Sequence, residues 1–137
     1  MKKLNIIVVY DREEENILFC LRKKEPYKGM YNLVGGKVEK AEKNITSAYR
    51  ELEEETGITK KDISLKHVMT FTYPISEIEL YAYVGKLKKK VSLVEEINHL
   101  CWFPIEENFW DMNRFAGEGN IAHVLEQIKI YHDQLLK

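Results

Sequence analysis

The segment Asn44–Thr56, "NITSAYRELEEET", constrains the fold of this chain more than any other stretch. Ile45, Ala48, Tyr49 and Leu52 fall at i, i+3, i+4 and i+7, the spacing of a single helical face. Gly57 follows where a C-terminal glycine cap belongs. At about 100° per residue, Glu51, Glu54 and Glu55 share an adjoining face, and Glu53 points away into solvent. A short helix with one apolar stripe must lie on something, and the flanking sequence supplies strands.

"KLNIIVVYD" and "NILFCLRK" read as two strands joined by an acidic turn around Glu13 to Glu15. "EPYKGMYN" is a loop punctuated by Pro26 and Gly29. From Ile63 to Tyr73 the period becomes two, which puts Ile63, Leu65, Met69, Phe71 and Tyr73 on one side, with His67 interrupting them. "EIELYAYVG" and "HLCWFPI" read as further strands, the second ended by Pro104. A last helix is expected from about Asn120 to the C-terminus, with Ile121, Val124, Leu125, Ile128, Tyr131 and Leu135 as its stripe. There is no repeat and no low-complexity linker. The expectation is one α/β domain over residues 1–137, a mixed sheet with helices.

Composition narrows the function classes. Formal net charge is −1, so no bulk basic surface argues for long nucleic acid. No apolar stretch approaches the roughly 20 residues that span a bilayer. The opening "MKKLNIIVVYDREEEN" has the lysines of a leader, but its apolar run is short, contains Asn5 and lacks a cleavage site. It reads as a strand. Cys20 and Cys101 are far apart and form no CxxC pair, which suits two thiols in a reducing compartment. A soluble cytoplasmic chain is expected.

Three carboxylates at i, i+3 and i+4 repel one another unless a cation sits among them. Their hard oxygen atoms suit Mg²⁺, with Mn²⁺ as the alternative. A Glu-rich helix can equally be a solvated face, and acid content alone does not decide. The spacing does. Gly36, five residues, Glu42, seven residues, Arg50-Glu51-Leu52, one residue, Glu54-Glu55, one residue, Gly57-Ile58 matches the Nudix box at every defined position. Seven fixed identities arise by chance in roughly 10⁻⁸ of windows at average residue usage.

The chain therefore resembles the Nudix hydrolases, with the box at residues 36–58. The resemblance implies the Nudix fold: an α/β/α sandwich with a mixed β-sheet, a central catalytic loop-helix and a C-terminal helix. It implies Mg²⁺-dependent hydrolysis of a nucleoside diphosphate linked to another group. Position by position, Glu51, Glu54 and Glu55 match the metal-binding glutamates, and Arg50 matches the arginine that orients them. Glu42 matches a supporting glutamate, and the Gly35 carbonyl matches a backbone metal ligand. MutT-type members often add a carboxylate from a loop before a late strand. Here Glu95 and Glu96 stand in that place, and Glu96 is preferred. Glu51, Glu54 and Glu96 all remain candidates for the general base.

Val34 replaces a proline common in the family before the glycine pair. The flank "GMYNLVGGKVE" instead looks like the oxidised-purine nucleoside triphosphatases. That resemblance gives Asn32 a base contact and Tyr31 the place of an aromatic beside it. Glu118 is a candidate base-reading acid, although "FAGEGN" can equally be a loop that caps the last helix. Arg22, Lys23 and Lys24 end the second strand, and Arg22 or Lys23 is a candidate phosphate contact.

The expected activity is cleavage of a nucleoside triphosphate such as 8-oxo-dGTP to the monophosphate and pyrophosphate. The alternatives are a Nudix hydrolase of ADP-ribose or dinucleoside polyphosphates, and a Nudix module that senses a nucleotide without cleaving it. The intact glutamate set argues against a sensor. The expected partner is a small nucleotide, with no membrane and no long nucleic acid. The family resemblance also allows a homodimer.

Overall fold

The computed structural model describes residues 1–137. Strands β1 (Lys2–Tyr10), β2 (Asn16–Leu21) and β3 (Tyr31–Asn32) precede helix α1 (Asn44–Thr56). Strands β4 (Lys66–Tyr73), β5 (Ile78–Lys86) and β6 (His99–Pro104) follow, then helices α2 (Asn120–Ile130) and α3 (His132–Leu136). The sheet runs β3-β2-β1-β5-β4, and β6 pairs with β2 off this path. Only β1 and β5 are parallel, in register from Lys2↔Ile78 to Tyr10↔Lys86. β2 meets β1 at Tyr10↔Ile17 and then runs along β6 as far as Leu21↔His99. β2 thus pairs with three strands, β1, β3 and β6.

The apolar run of β1 is explained by burial on both faces. Ile6 and Val8 face a core shared with Phe19, Phe115, Ile121 and Val124 on the α2 side. Ile7 and Val9 face a second core shared with Cys20, Ala48, Leu52 and Ile58 on the α1 side. Helices thus cover both sheet faces, and the α/β/α sandwich is the observed architecture. Burying the Leu52 side chain contributes ~1.5–3 kcal/mol to seating α1. Gly57 ends that helix in the left-handed region (φ 81°) and donates its N–H to the Glu53 carbonyl. No helix is long and apolar enough to cross a membrane.

Two expectations are corrected. The period-two face from Ile63 to Tyr73 is broken by a bulge between His67 and Met69. Ile63 and Leu65 therefore join the α1-side core, whereas Met69 and Phe71 pack on the α2 side. The last helix is not continuous either. It turns at Tyr131 (φ −107°, ψ 28°), which leaves Tyr131 exposed and brings Leu136 into the α2-side core.

Candidate active site

Glu51, Glu54 and Glu55 project from the last two turns of α1, and Arg50 organises two of them. All five guanidinium N–H donors are engaged. Arg50 Nε and Nη2 grip both oxygens of Glu42 at 2.8 and 3.1 Å. Nη1 reaches Glu51 Oε1 at 3.0 Å and Glu54 Oε2 at 3.1 Å, and Nη2 also reaches the Lys37 carbonyl at 2.9 Å. A planar fork is the side chain that can hold so many oxygens in fixed directions. The bond to Glu42 is the first cause of a raised Arg50 pKa, and in return Arg50 holds the Glu42 carboxyl below its ordinary value.

Glu55 is handled differently. It has no arginine partner and accepts the Gly35 N–H at 3.0 Å. Burial pushes its carboxyl up to about 7, and the nearby Glu51 and Glu96 carboxylates push the same way. Glu51 is also raised, first by burial and then by Glu54 and Glu96, against the pull of Arg50. Half-buried carboxylates that repel one another mark a place short of positive charge.

These groups line a cavity of about 310 Å³ with Glu96, Cys20, Asn98 and Leu100. The neighbouring acid Glu95 turns aside, accepting the Leu100 N–H at 2.8 Å and pairing with His99. A larger cavity of about 510 Å³ lies on the α2 side, between Tyr10, Trp110 and His132. None of the sequence-predicted site residues lines it.

The oxygen-rich donor set and its mutual repulsion fit a hard divalent cation. As they stand, no three His, Cys, Asp or Glu side chains are grouped tightly enough to hold one. Arg50 explains this in part, because it draws Glu51 and Glu54 toward its own guanidinium.

The glycine pair owes its identity to close approach. At Gly35 (φ 148°) a side chain would run into the Asn5 carbonyl, and at Gly36 it would run into the Glu51 carboxylate.

The remaining predicted residues are dispersed. Asn32 stands opposite Cys20 in the ladder and shares the face of the carboxylate cavity. Its Oδ1 accepts the Leu33 N–H at 2.8 Å. Tyr31, expected beside the substrate, is turned to the α2 side, because successive strand residues face opposite ways. Its ring packs edge-on to Phe103 at 4.8 Å. Arg22 Nε donates to the Pro26 carbonyl at 2.7 Å, while its charge is felt at Glu55. The Lys23 charge is felt at Glu95. Glu118 (φ 50°) accepts a 2.6 Å bond from the Tyr27 hydroxyl, which ties two loops together.

Asn5, Ser47 and Cys20 were missed as contributors. Asn5 carried a readable signal: a polar amide inside an apolar strand demands a buried partner. Cys20 carried none, since a thiol in a strand reads as a small apolar residue.

Comparison with known proteins places this geometry. The chain is 34% identical over 86 residues to the 8-oxo-dGTP diphosphatase of Escherichia coli K12, a match covering 61% of this chain and 67% of that protein. A MutT/nudix family protein from Enterococcus faecalis superposes with a TM-score of 0.64 at 22% identity, over 75% of this chain and 43% of the other. The chain thus spans less than half the length of that protein. An Ap4A hydrolase from C. elegans superposes with a TM-score of 0.74 at 18% identity, over 96% of this chain and 98% of the other, a likeness of fold alone. Residues 1–127 match the NUDIX domain, and the chain belongs to that family.

Proposed function

We propose that the chain is a Mg²⁺-dependent pyrophosphohydrolase that adds water across a phosphoric anhydride of a nucleoside triphosphate. The products are the nucleoside monophosphate and pyrophosphate. The observation that carries this reading is the gathering of Glu51, Glu54, Glu55 and Glu96 around one cavity, with a mutual repulsion that a divalent cation would relieve. In this reading Glu51, Glu54, Glu55, Glu42, Glu96 and the Gly35 carbonyl would hold the metal. When bound, the metal supplies positive charge against the phosphates. Arg50 orients Glu51 and Glu54 through one hydrogen bond to each. The attacking water gives its proton to one of Glu51, Glu54 and Glu96. Arg22 supplies charge beside Glu55, where a phosphate would arrive.

The substrate class in this reading is an oxidised purine nucleotide such as 8-oxo-dGTP. Its supports are the flank "YNLVGGK" and the likeness to the Escherichia coli diphosphatase. Asn32 is the base contact, placed on the same face as the cavity. Glu118 is a second candidate, on the far loop.

The test is product analysis with Mg²⁺ and a panel of 8-oxo-dGTP, the dNTPs, diadenosine tetraphosphate and ADP-ribose. The expected result is fastest turnover of 8-oxo-dGTP, with pyrophosphate released. Faster cleavage of either of the last two would reassign the substrate class. No turnover of any compound would remove the enzyme reading altogether.

A further inference from the structure

We infer that Asn5 is a positioning residue for the carboxylate site, acting from β1 through the glycine loop and Ser47 on the seat of Arg50. The inference rests on the metal-dependent reading above and adds a residue outside the sequence motif.

Asn5 is 2% exposed and sits between the apolar residues Leu4 and Ile6. A buried amide is costly unless its donors and acceptor are satisfied. Here its oxygen and one of its N–H groups are bound by the two parts of the site that must be held together. Asn5 Oδ1 accepts the Gly36 N–H at 3.0 Å, and the Asn5 backbone N–H donates to the Gly36 carbonyl at 2.8 Å. Both backbone groups of Gly36 are therefore bound to one residue. Asn5 Nδ2 donates to Ser47 Oγ on α1 at 2.8 Å.

The chain of contacts continues. Ser47 Oγ donates weakly to the Lys37 carbonyl at 3.4 Å, and the same carbonyl accepts Arg50 Nη2 at 2.9 Å. Arg50 then holds Glu42, Glu51 and Glu54. On the other side of the loop, Gly36 packs against the Glu51 carboxylate and Gly35 donates to Glu55. One amide thus fixes the gap between loop and helix from which the glutamates are aimed. An amide is the group for this work, since it donates and accepts in one plane. Leucine does neither.

A purely structural amide would affect stability when replaced, without changing how the site binds a cation. The test separates the two roles. Mn²⁺ affinity is measured by electron paramagnetic resonance on the full chain without nucleotide, for wild type, Asn5→Leu, Ser47→Ala and the double variant. The Arg50 Nε–H resonance is followed by NMR in the same proteins.

We expect Asn5→Leu to weaken Mn²⁺ binding about tenfold, on the scale of a buried hydrogen bond lost. Ser47→Ala should weaken it less, and the double variant should be no worse than Asn5→Leu, since both break one chain of bonds. The Arg50 resonance should move in each. A folded Asn5→Leu with Mn²⁺ affinity within twofold of wild type would overturn the inference, as would strictly additive losses. If Asn5→Leu does not fold, Ser47→Ala decides: unchanged affinity and an unmoved resonance overturn it. If wild type binds no Mn²⁺, the metal-dependent reading fails. The Arg50 resonance then still tests Asn5, and an unmoved signal counts against it.

Discussion

Gly35 donates its backbone N–H to Glu55 across 3.0 Å, so the glycine loop and the end of α1 are joined at the carboxylate that lacks an arginine partner. Its neighbour Gly36 makes no such bond to α1 and instead leaves room for the Glu51 carboxylate. The two glycines should therefore fail differently. Gly35→Ala forces a side chain at φ 148° into the backbone of Asn5, and should cost ~2 kcal/mol or more of stability. Gly36→Ala meets only the end of a flexible side chain. It should leave stability within ~1 kcal/mol of wild type while kcat falls at least about tenfold. Denaturant unfolding beside steady-state rates reads both. Equal behaviour of the two variants would show that the loop is only a scaffold.

Glu55 is half-buried with two like charges nearby. Adding Mg²⁺ should raise the Tm of the wild-type protein, because a ligand that binds the folded state stabilises it. Glu55→Gln should raise Tm in the absence of metal, by removing the charge while keeping an acceptor for the Gly35 N–H. The same variant should show a smaller increment with Mg²⁺. A variant that keeps the full increment would remove Glu55 from the metal site.

His132 contacts Glu14 across the β1–β2 turn, and Glu14 also accepts from Lys86 Nζ at 2.9 Å. The bond to Glu14 is the first cause of a His132 pKa above its ordinary 6.5. The stability this brings is complete below 6.5 and is lost as pH rises through the raised value. Glu14 lies below its ordinary 4.5: burial opposes the shift, but Lys86 and His132 outweigh it. Its contribution is present above 4.5 and is lost as pH falls through the lowered value. The contribution of the Glu14–His132 pair to Tm should therefore be greatest between about pH 4.5 and 6.5. His132→Gln should flatten the alkaline side of that profile and leave the acid side, which Lys86 still supports. An unchanged alkaline slope in that variant would refute the assignment.

The sequence was most legible where one periodicity served one purpose. The α1 stripe of Ile45, Ala48, Tyr49 and Leu52 packs as its spacing implies, and Gly57 caps the helix. The bulge after His67 was not legible, because Val68 and Met69 are both apolar and either can point inward. Nor was the break at Tyr131, where an aromatic at a core-facing position ends up exposed. Within the candidate site, the box residues come together as their spacing suggests, while Tyr31 and Glu118 depend on how distant loops meet. Glu96 lines the carboxylate cavity, whereas Glu95 accepts the Leu100 N–H and pairs with His99.

Asn32 shares the face of Cys20 and the cavity but touches none of the glutamates in the hydrogen-bond network. Asn32→Ala should therefore reduce the preference for 8-oxo-dGTP over dGTP about tenfold or more, the scale of one lost polar recognition contact. Turnover of the ordinary nucleotides should persist. Equal loss on all substrates would make Asn32 a structural residue of β3.

The central claim is that the α1 glutamates carry metal-assisted hydrolysis, and Glu54 tests it most directly. Its carboxylate is half exposed at 50%, lines the cavity and has Arg50 as its partner, so Glu54→Gln removes a charge and little packing. With saturating Mg²⁺ and 8-oxo-dGTP, kcat of Glu54→Gln should fall by at least about two orders of magnitude, at unchanged Tm within ~2 °C. A kcat within about threefold of wild type would contradict the account.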